Sequence, residues 1–185
     1  ELAWQRGLLR YKLKEHQEDL YQIISTARSL KTVINCARRF GKTTCLLLYC
    51  MEFAIKNPNS LVRFASPFKV NLKKIVYPIM RMLIEDAPYN NRPEFHASEN
   101  YYQFSNGSQI HLAGVNNGHA DDLRGQRCDL GVVDEAGDVD DLKHLYTSVL
   151  LPQTITCGGR IILASTPPPR QDHDFYYMSL EAKQD

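Results

Sequence analysis

Val33-Ile34-Asn35-Cys36-Ala37-Arg38-Arg39-Phe40-Gly41-Lys42-Thr43-Thr44 is the stretch whose reading decides the fold. It reads as a short apolar strand, a tight loop holding two arginines, and Gly-Lys-Thr-Thr opening an apolar helix. A loop that feeds a helix N-terminus presents unpaired backbone N–H groups and the positive end of the helix dipole, a setting suited to a phosphate. Lys42 adds a point charge for terminal phosphates, and Thr43 adds a hydroxyl for Mg²⁺. The phosphate-loop pattern G-x-x-x-x-G-K-[ST] is incomplete, because Cys36 stands where its first glycine belongs. Taken alone, Gly41 to Thr43 is equally an ordinary strand, loop and helix with a surface lysine, so the rest of the chain decides.

The flanking sequence alternates strands with helices. Tyr11 to Leu30 is predicted helical and leads by a turn into a first strand, Thr32 to Cys36. The helix after Lys42 is apolar nearly all round, as a helix packed on a sheet requires, and Asn57-Pro58-Asn59 stops it. Leu61 to Ala65 is a second strand. Residues 68–86 return as a helix kinked or broken at Pro78, and residues 87–98 read as a polar loop. Tyr101 to Phe104 and Gln109 to Leu112 flank Asn106-Gly107, a strong hairpin signal. Cys128 to Val133 is a buried strand ending in Asp134-Glu135, Leu142 to Leu150 a helix, and Arg160 to Ala164 a last buried strand ending in Ser165-Thr166. Pro167-Pro168-Pro169 then closes the core, and Asp172 to Lys183 opens a further helical element. Continuous apolar strands alternating with helices predict an α/β fold with a mostly parallel sheet covered on both faces.

Ligand chemistry in such sheets sits at the carboxyl ends of the strands. Four of these ends carry polar groups here: the 36–43 loop, Ser66-Pro67, Asp134-Glu135 and Ser165-Thr166. Asp134 is placed to hold Mg²⁺ opposite the Thr43 hydroxyl, and Glu135 to polarise an attacking water. The bland alternative is a strand ending in a solvated acidic turn. Arginines supply charge for a transferring phosphoryl group: Arg38 and Arg39 within the loop, and Arg124 on Asp121-Asp122-Leu123-Arg124-Gly125. Arg124 could reach a neighbouring subunit or form a surface salt bridge with Asp121 or Asp122. Ser165 and Thr166 either sense a terminal phosphate or cap the strand end.

Composition narrows the classes. A length of 185 residues suits one domain. Net charge is +1, so no global field drives the chain onto nucleic acid or lipid. The charge is uneven: residues 1–43 carry nine Lys/Arg against four acids, a net of +5, whereas residues 134–141 hold five acids and no base. The five cysteines are never spaced C-x-x-C and read as reduced core residues. The six histidines never fall at metal-ligand spacing with a Cys or Glu partner. No stretch is long and apolar enough to span a bilayer.

With these residues in place, the chain resembles the ATPase domain of the large terminase subunit of tailed double-stranded DNA bacteriophages. The likeness rests on Ala37-Arg38-Arg39-Phe40-Gly41-Lys42-Thr43-Thr44, the hairpin around Phe104-Ser105-Asn106-Gly107-Ser108, Leu123-Arg124-Gly125, Val132-Val133-Asp134-Glu135-Ala136, and Ala164-Ser165-Thr166-Pro167. The resemblance implies a P-loop NTPase fold of the ASCE type with a β-hairpin insertion, and an ATP-hydrolysing motor that moves double-stranded DNA into a capsid. ATP and Mg²⁺ are the implied cofactors. Gln17 and residues Cys36, Ala37, Arg38, Arg39, Phe40, Gly41, Lys42, Thr43 and Thr44 would bind ATP, with Gln17 reading adenine; as a lone residue Gln17 equally reads as a surface glutamine. Thr43 and Asp134 would hold Mg²⁺, Glu135 would be the base, and Ser165-Thr166 would couple hydrolysis to motion. Arg38 would act within its own subunit and Arg124 across a ring, which leaves open which is the arginine finger.

The implied partners are double-stranded DNA, the portal protein, the small terminase subunit and further copies in a pentameric ring, with a monomer in isolation and no membrane. The implied location is the host cytoplasm, transiently on the procapsid. Residues 1–170 would be the ATPase core and 171–185 the start of a lid or linker, with the family's C-terminal nuclease absent from this chain. The alternatives are a helicase-like DNA-dependent ATPase and a non-hydrolysing nucleic-acid-binding scaffold.

Overall fold

The computed structural model describes residues 1–125, 127–168 and 172–182. Seven strands form one sheet: β1 (Lys31–Asn35), β2 (Leu61–Ser66), β3 (Glu94–His96), β4 (Tyr101–Gln103), β5 (Gln109–Gly114), β6 (Leu130–Asp134) and β7 (Arg160–Ser165). Their order is β1-β7-β6-β2-β5-β4-β3. The first five in that order run parallel, and β4 and β3 extend the edge antiparallel. The hairpin therefore joins the sheet through β5, which pairs with both β2 and β4.

Eight α-helical segments flank the sheet among the described residues. They are α1 (Leu2–Gln5), α2 (Glu15–Thr26), α3 (Lys42–Lys56), α4 (Lys69–Asn71), α5 (Tyr77–Ile84), α6 (Leu142–His144), α7 (Leu151–Ile155) and α8 (Asp174–Glu181). None is long and apolar enough to cross a membrane. The parallel strands are buried by turns on opposite faces: Val132 and Ile162 join the core under α2, α3 and α5, while Val133, Ile161 and Leu163 join the core under α7 and α8. This is the two-sided burial expected of continuous apolar strands. All five cysteines are free thiols, with Cys45, Cys50 and Cys128 buried.

Several boundaries differ from the sequence expectation, each for a local reason. The helix predicted from Tyr11 starts only at Glu15. Leu13 and Lys14 are extended, and Gln17 caps the new N-terminus by accepting the Lys14 N–H at 2.9 Å. The predicted loop 87–98 contains β3, a strand with one large apolar residue. Its stability comes from across the sheet, where Phe95 faces Tyr102 and His96 stacks on Tyr101. Pro78 is accommodated rather than disruptive. A π-helical turn, Leu72–Val76, directly precedes α5, and Tyr77 N–H bonds to Leu72 O five residues back. Widening the turn makes room for a ring that would otherwise meet the preceding carbonyls. Pro152 follows a second such turn, Leu145–Leu150, so the helix expected to end at Leu150 continues as α7. Asn106-Gly107 forms the hairpin turn, with Gly107 at φ 86°. Of the segment around the final prolines, Pro169 and residues 170 and 171 lie outside the described residues, as does Lys183.

Glu52 interrupts the apolar α3 yet is only 1% exposed. Its carboxylate accepts from Leu9 N at 2.5 Å, from the Tyr21 hydroxyl and from Lys56 Nζ at 2.7 Å. Burial and the Glu52 carboxylate together push the Tyr21 phenol well above its ordinary pKa. One acid thus ties the N-terminal segment and α2 to the central helix. Glu52→Leu keeps the volume but leaves two buried donors without an acceptor. We expect a loss of about 2–4 kcal/mol in unfolding free energy, read by urea denaturation. A change within about 0.5 kcal/mol, the scale of an inert surface substitution, would show that the anchor is dispensable.

Candidate functional site

The carboxyl ends of β1, β7 and β6 lie side by side. Asn35 pairs with Ser165, and Asp134 with Ala164. Cys36 N–H continues the ladder by donating to Ser165 O at 3.0 Å, so the loop leaves the sheet from a fixed point. The loop then turns twice through left-handed backbone, at Arg39 (φ 63°) and Gly41 (φ 80°), before α3 begins at Lys42. A Cβ at position 41 would sit 2.1 Å from Gln17 Nε2, so only glycine fits there.

The loop and the strand tips enclose an open cavity of about 500 Å³, lined among others by Arg38, Arg39, Lys42, Thr43, Glu135 and Thr166. Lys42 is 5% exposed and Asp134 4%. Lys42 Nζ donates to Asp134 Oδ1 at 2.9 Å and to Glu135 Oε1 at 2.8 Å. Burial alone would push the ammonium pKa down; the Asp134 and Glu135 carboxylates more than offset this and hold it above its ordinary value. The Thr43 hydroxyl donates to Asp134 Oδ2 at 2.6 Å. Asp134 is thus bound on both oxygens, and Oδ1 also accepts the Glu135 N–H at 3.0 Å.

Glu135 has φ 50° and ψ 46°, left-handed geometry that costs a non-glycine residue about 1 kcal/mol or more. The strained backbone opens the turn Ala136–Asp138. That turn is fastened to β7, because Gly137 N–H donates to the buried Ser165 Oγ at 3.0 Å. Thr166, one residue on, lines the cavity.

The other residues singled out in the sequence are divided between the cavity and its surroundings. Ala37, Phe40, Gly41 and Thr44 line the cavity, while Cys36 sits just behind it with its thiol pushed up by burial. Arg38 and Arg39 are exposed at its rim and make no ion pair among the described residues. Gln17 lies against the loop from outside the cavity wall, 4% exposed, and its Nε2 donates to Gly41 O at 2.9 Å. Arg124 is not brought to this cavity; its Nε donates to Asp121 Oδ1 at 2.7 Å on the surface. The Arg124 guanidinium, with His144, holds the Asp121 carboxyl below its usual range.

Ile75 and Ile79, an apolar wall on the far side of the cavity, were not singled out by sequence reasoning. Apolar residues four apart on a helix signal a core face, and the exposure of Ile75 on the π-helical turn departs from that pattern. His16 was also missed: its Nε2 lies 3.1 Å from Phe40 O.

Known structures share this fold. The large terminase of a thermophilic bacteriophage superposes with a TM-score of 0.71 at 17% identity, over 92% of this chain and 43% of that one. The Thermus phage P74-26 large terminase ATPase domain gives 0.70 at 18% identity, over 92% and 70%. The HK97 bacteriophage large terminase gives 0.74 at 16%, over 94% and 37%. Structures of the first of these proteins in complex with ADP and with ATP-gamma-S match at TM-scores of 0.66 and 0.62, each at 17% identity, covering 84% and 83% of this chain and 39% and 38% of theirs. The chain therefore spans less than half the length of the first and third of these proteins. The family of terminase large subunits, T4likevirus-type N-terminal region, matches residues 33–183, and the chain belongs to that family.

Proposed function

We propose that this chain is the ATP-hydrolysing motor domain of a phage DNA-packaging terminase. One observation carries the reading: a buried lysine at the start of α3 is held by two consecutive acids at the tip of β6, next to a threonine hydroxyl. Membership of the terminase family supports it, as do the nucleotides named for two structures of the thermophilic phage protein.

The chemistry is that of the groups present. The α3 N-terminus and the loop N–H groups receive the phosphates, and Lys42 shifts from its acids to the β- and γ-phosphate oxygens. Thr43 Oγ1 and Asp134 Oδ2 are a hydroxyl and a carboxylate 2.6 Å apart, a hard oxygen pair that fits Mg²⁺. This cation takes one or two protein oxygens and completes its shell with water and phosphate. When bound it neutralises charge on the phosphate chain. Glu135, partly exposed to the cavity, accepts the proton of the attacking water. Arg38 lies at the rim of its own subunit's cavity, and Arg124 is free on the surface to serve a neighbour once it releases Asp121. The Ser165 Oγ link to the turn after Glu135 offers a route from phosphate loss to movement of β7 and of the segment beyond it. Double-stranded DNA, the portal protein, the small terminase subunit and a pentameric ring are the corresponding partners in the host cytoplasm. Residues 1–170 form the core in this reading, and residues 171–185 begin a lid or linker.

Glu135→Gln keeps the shape and removes the base. It should bind ATP with near wild-type affinity and hydrolyse it about 10² to 10⁴ times more slowly, measured by single-turnover phosphate release. Unchanged turnover would remove Glu135 from the role of base. The Arg124 assignment is tested by complementation in assembled rings. Arg124→Ala and Glu135→Gln subunits, each inactive alone, should regain turnover when mixed, because one donates the arginine and the other the intact site. Mixed rings as inactive as their parents would exclude action across the interface.

A further inference from the structure

Among the described residues, two buried side-chain polar atoms lack a hydrogen-bond partner: Nε of Arg63 and Oε1 of Gln153. Both groups border the same glycine. A Cβ at position 125 would sit 2.3 Å from Arg63 Nη2 and 3.4 Å from Gln153 Oε1. Gly125 directly follows Arg124, so the two unpaired groups lie at the base of the loop that carries this arginine. Buried polar groups without partners are rare and costly, and each calls for a reason.

The residues on either side of Arg124 are each seated on one of these side chains. Before it, Leu123 is 2% exposed within the core under α7 and α8, and its carbonyl accepts from Gln153 Nε2 at 3.1 Å. Gln153 is a buried residue of α7 whose Nε2 also donates to Val149 O at 2.6 Å. After it, Gly125 packs so closely on the Arg63 guanidinium that any larger residue would displace one of the two. Arg124 N–H itself donates to Asp121 O at 2.9 Å, at the end of the turn Ala120–Leu123. The backbone of Arg124 is thus fixed from below, while its side chain remains 55% exposed.

Arg63 stands midway along β2, held in register between β5 and β6. It makes no ion pair among the described residues, and burial pushes its guanidinium pKa down. An apolar side chain would fill this place at lower electrostatic cost. What sets Arg63 apart is its contact with Gly125.

We propose that Arg63 is a positioning residue for Arg124: its guanidinium seats Gly125 and, with Gln153 on the Leu123 carbonyl, fixes the backbone from which the Arg124 side chain reaches a neighbouring subunit. This rests on the reading of Arg124 as the arginine that acts across the ring.

The test is turnover in mixed rings, with the melting temperature and Mg-ATP affinity of each variant recorded. Arg63→Met keeps an unbranched stem and removes the guanidinium. Its rings should turn over about 10 to 100 times more slowly, the scale of a reacting group displaced rather than removed. Its ATP affinity should be unchanged, since its own cavity is intact. Mixed with Glu135→Gln subunits, which present Arg124 correctly, it should regain turnover; mixed with Arg124→Ala subunits it should not. Arg63→Lys keeps a cationic donor and should recover part of the loss. Gly125→Ala spoils the same contact from the loop side. It should show the same pattern of complementation, and adding it to Arg63→Met should cost little more. It also carries the comparison should Arg63→Met melt early. The proposal is overturned if Arg63→Met turns over as the wild type does. It is equally overturned if Arg124→Ala subunits restore it, or if neither partner does while Arg124→Ala and Glu135→Gln restore each other. Failure of those two to restore each other overturns the reading of Arg124 itself, an outcome distinct from the rest.

Discussion

The contact between Lys42 and Asp134 is the constraint on which this molecule is arranged. Both side chains are almost fully buried, and taking two charges out of water costs several kcal/mol apiece. The cost is recovered only if the partners meet at hydrogen-bond distance with their other polar atoms satisfied. Asp134 meets that condition with Lys42, Thr43 and the Glu135 N–H. The pair joins elements 92 positions apart in the chain, so it forms only when α3 is seated on the sheet and β6 is in register. Sheet order makes this specific. β7 lies between β1 and β6, so the loop leaving β1 must cross the tip of β7 to bring Lys42 to the acids. That is why Ser165 and Thr166 stand between the loop and the acidic pair, and why one hydroxyl, Ser165 Oγ, can fasten the turn after Glu135.

The same corner of the sheet holds features that stability alone would not favour. Glu135 and Arg39 both adopt left-handed backbone without being glycine. A lysine and two carboxylates occupy space that apolar side chains would fill at lower electrostatic cost. Strain and buried charge of this kind persist where the surrounding structure over-determines them. Here the surroundings are the fully buried β6 and the apolar α3. The scaffold supplies the excess, and Glu52 shows a second way of placing a charge in it: full enclosure by donors with no opening to solvent.

How much of this was legible in the sequence differs by the range of the forces involved. Four of the five parallel strands, β1, β2, β6 and β7, the burial of the sheet on both faces and the Asn106-Gly107 turn arise from local patterns and were readable; β5 was read only as a hairpin strand, and its parallel pairing with β2 was not. The loop, Thr43 and the Asp134-Glu135 tip were readable as well, because backbone rules place such residues at strand ends. β3 was not readable, since three residues with a single Phe95 gain their order from Tyr101 and Tyr102 across the sheet. The π-helical turns before Pro78 and Pro152 were equally hidden, because a proline in a helical pattern signals a kink without saying how the backbone absorbs it. The contacts of Gln17 lay furthest out of reach. Its spacing in sequence says nothing of which atom its amide meets, and only the packing of α2 against the loop decides that.

The two candidate arginines can now be weighed on physical grounds. Arg38 stands exposed at the cavity rim. Arg124 is paired with Asp121, but both are more than half exposed, and an ion pair in such a setting is screened by water and holds its partners weakly. That hold is slight beside the roughly 10³- to 10⁵-fold that a guanidinium contributes in arginine-finger enzymes. The Asp121 contact is therefore no obstacle to Arg124 acting elsewhere. What differs between the two is dependence on a second copy. An arginine at its own cavity leaves turnover indifferent to assembly, whereas an arginine held away from it makes turnover wait for a neighbour.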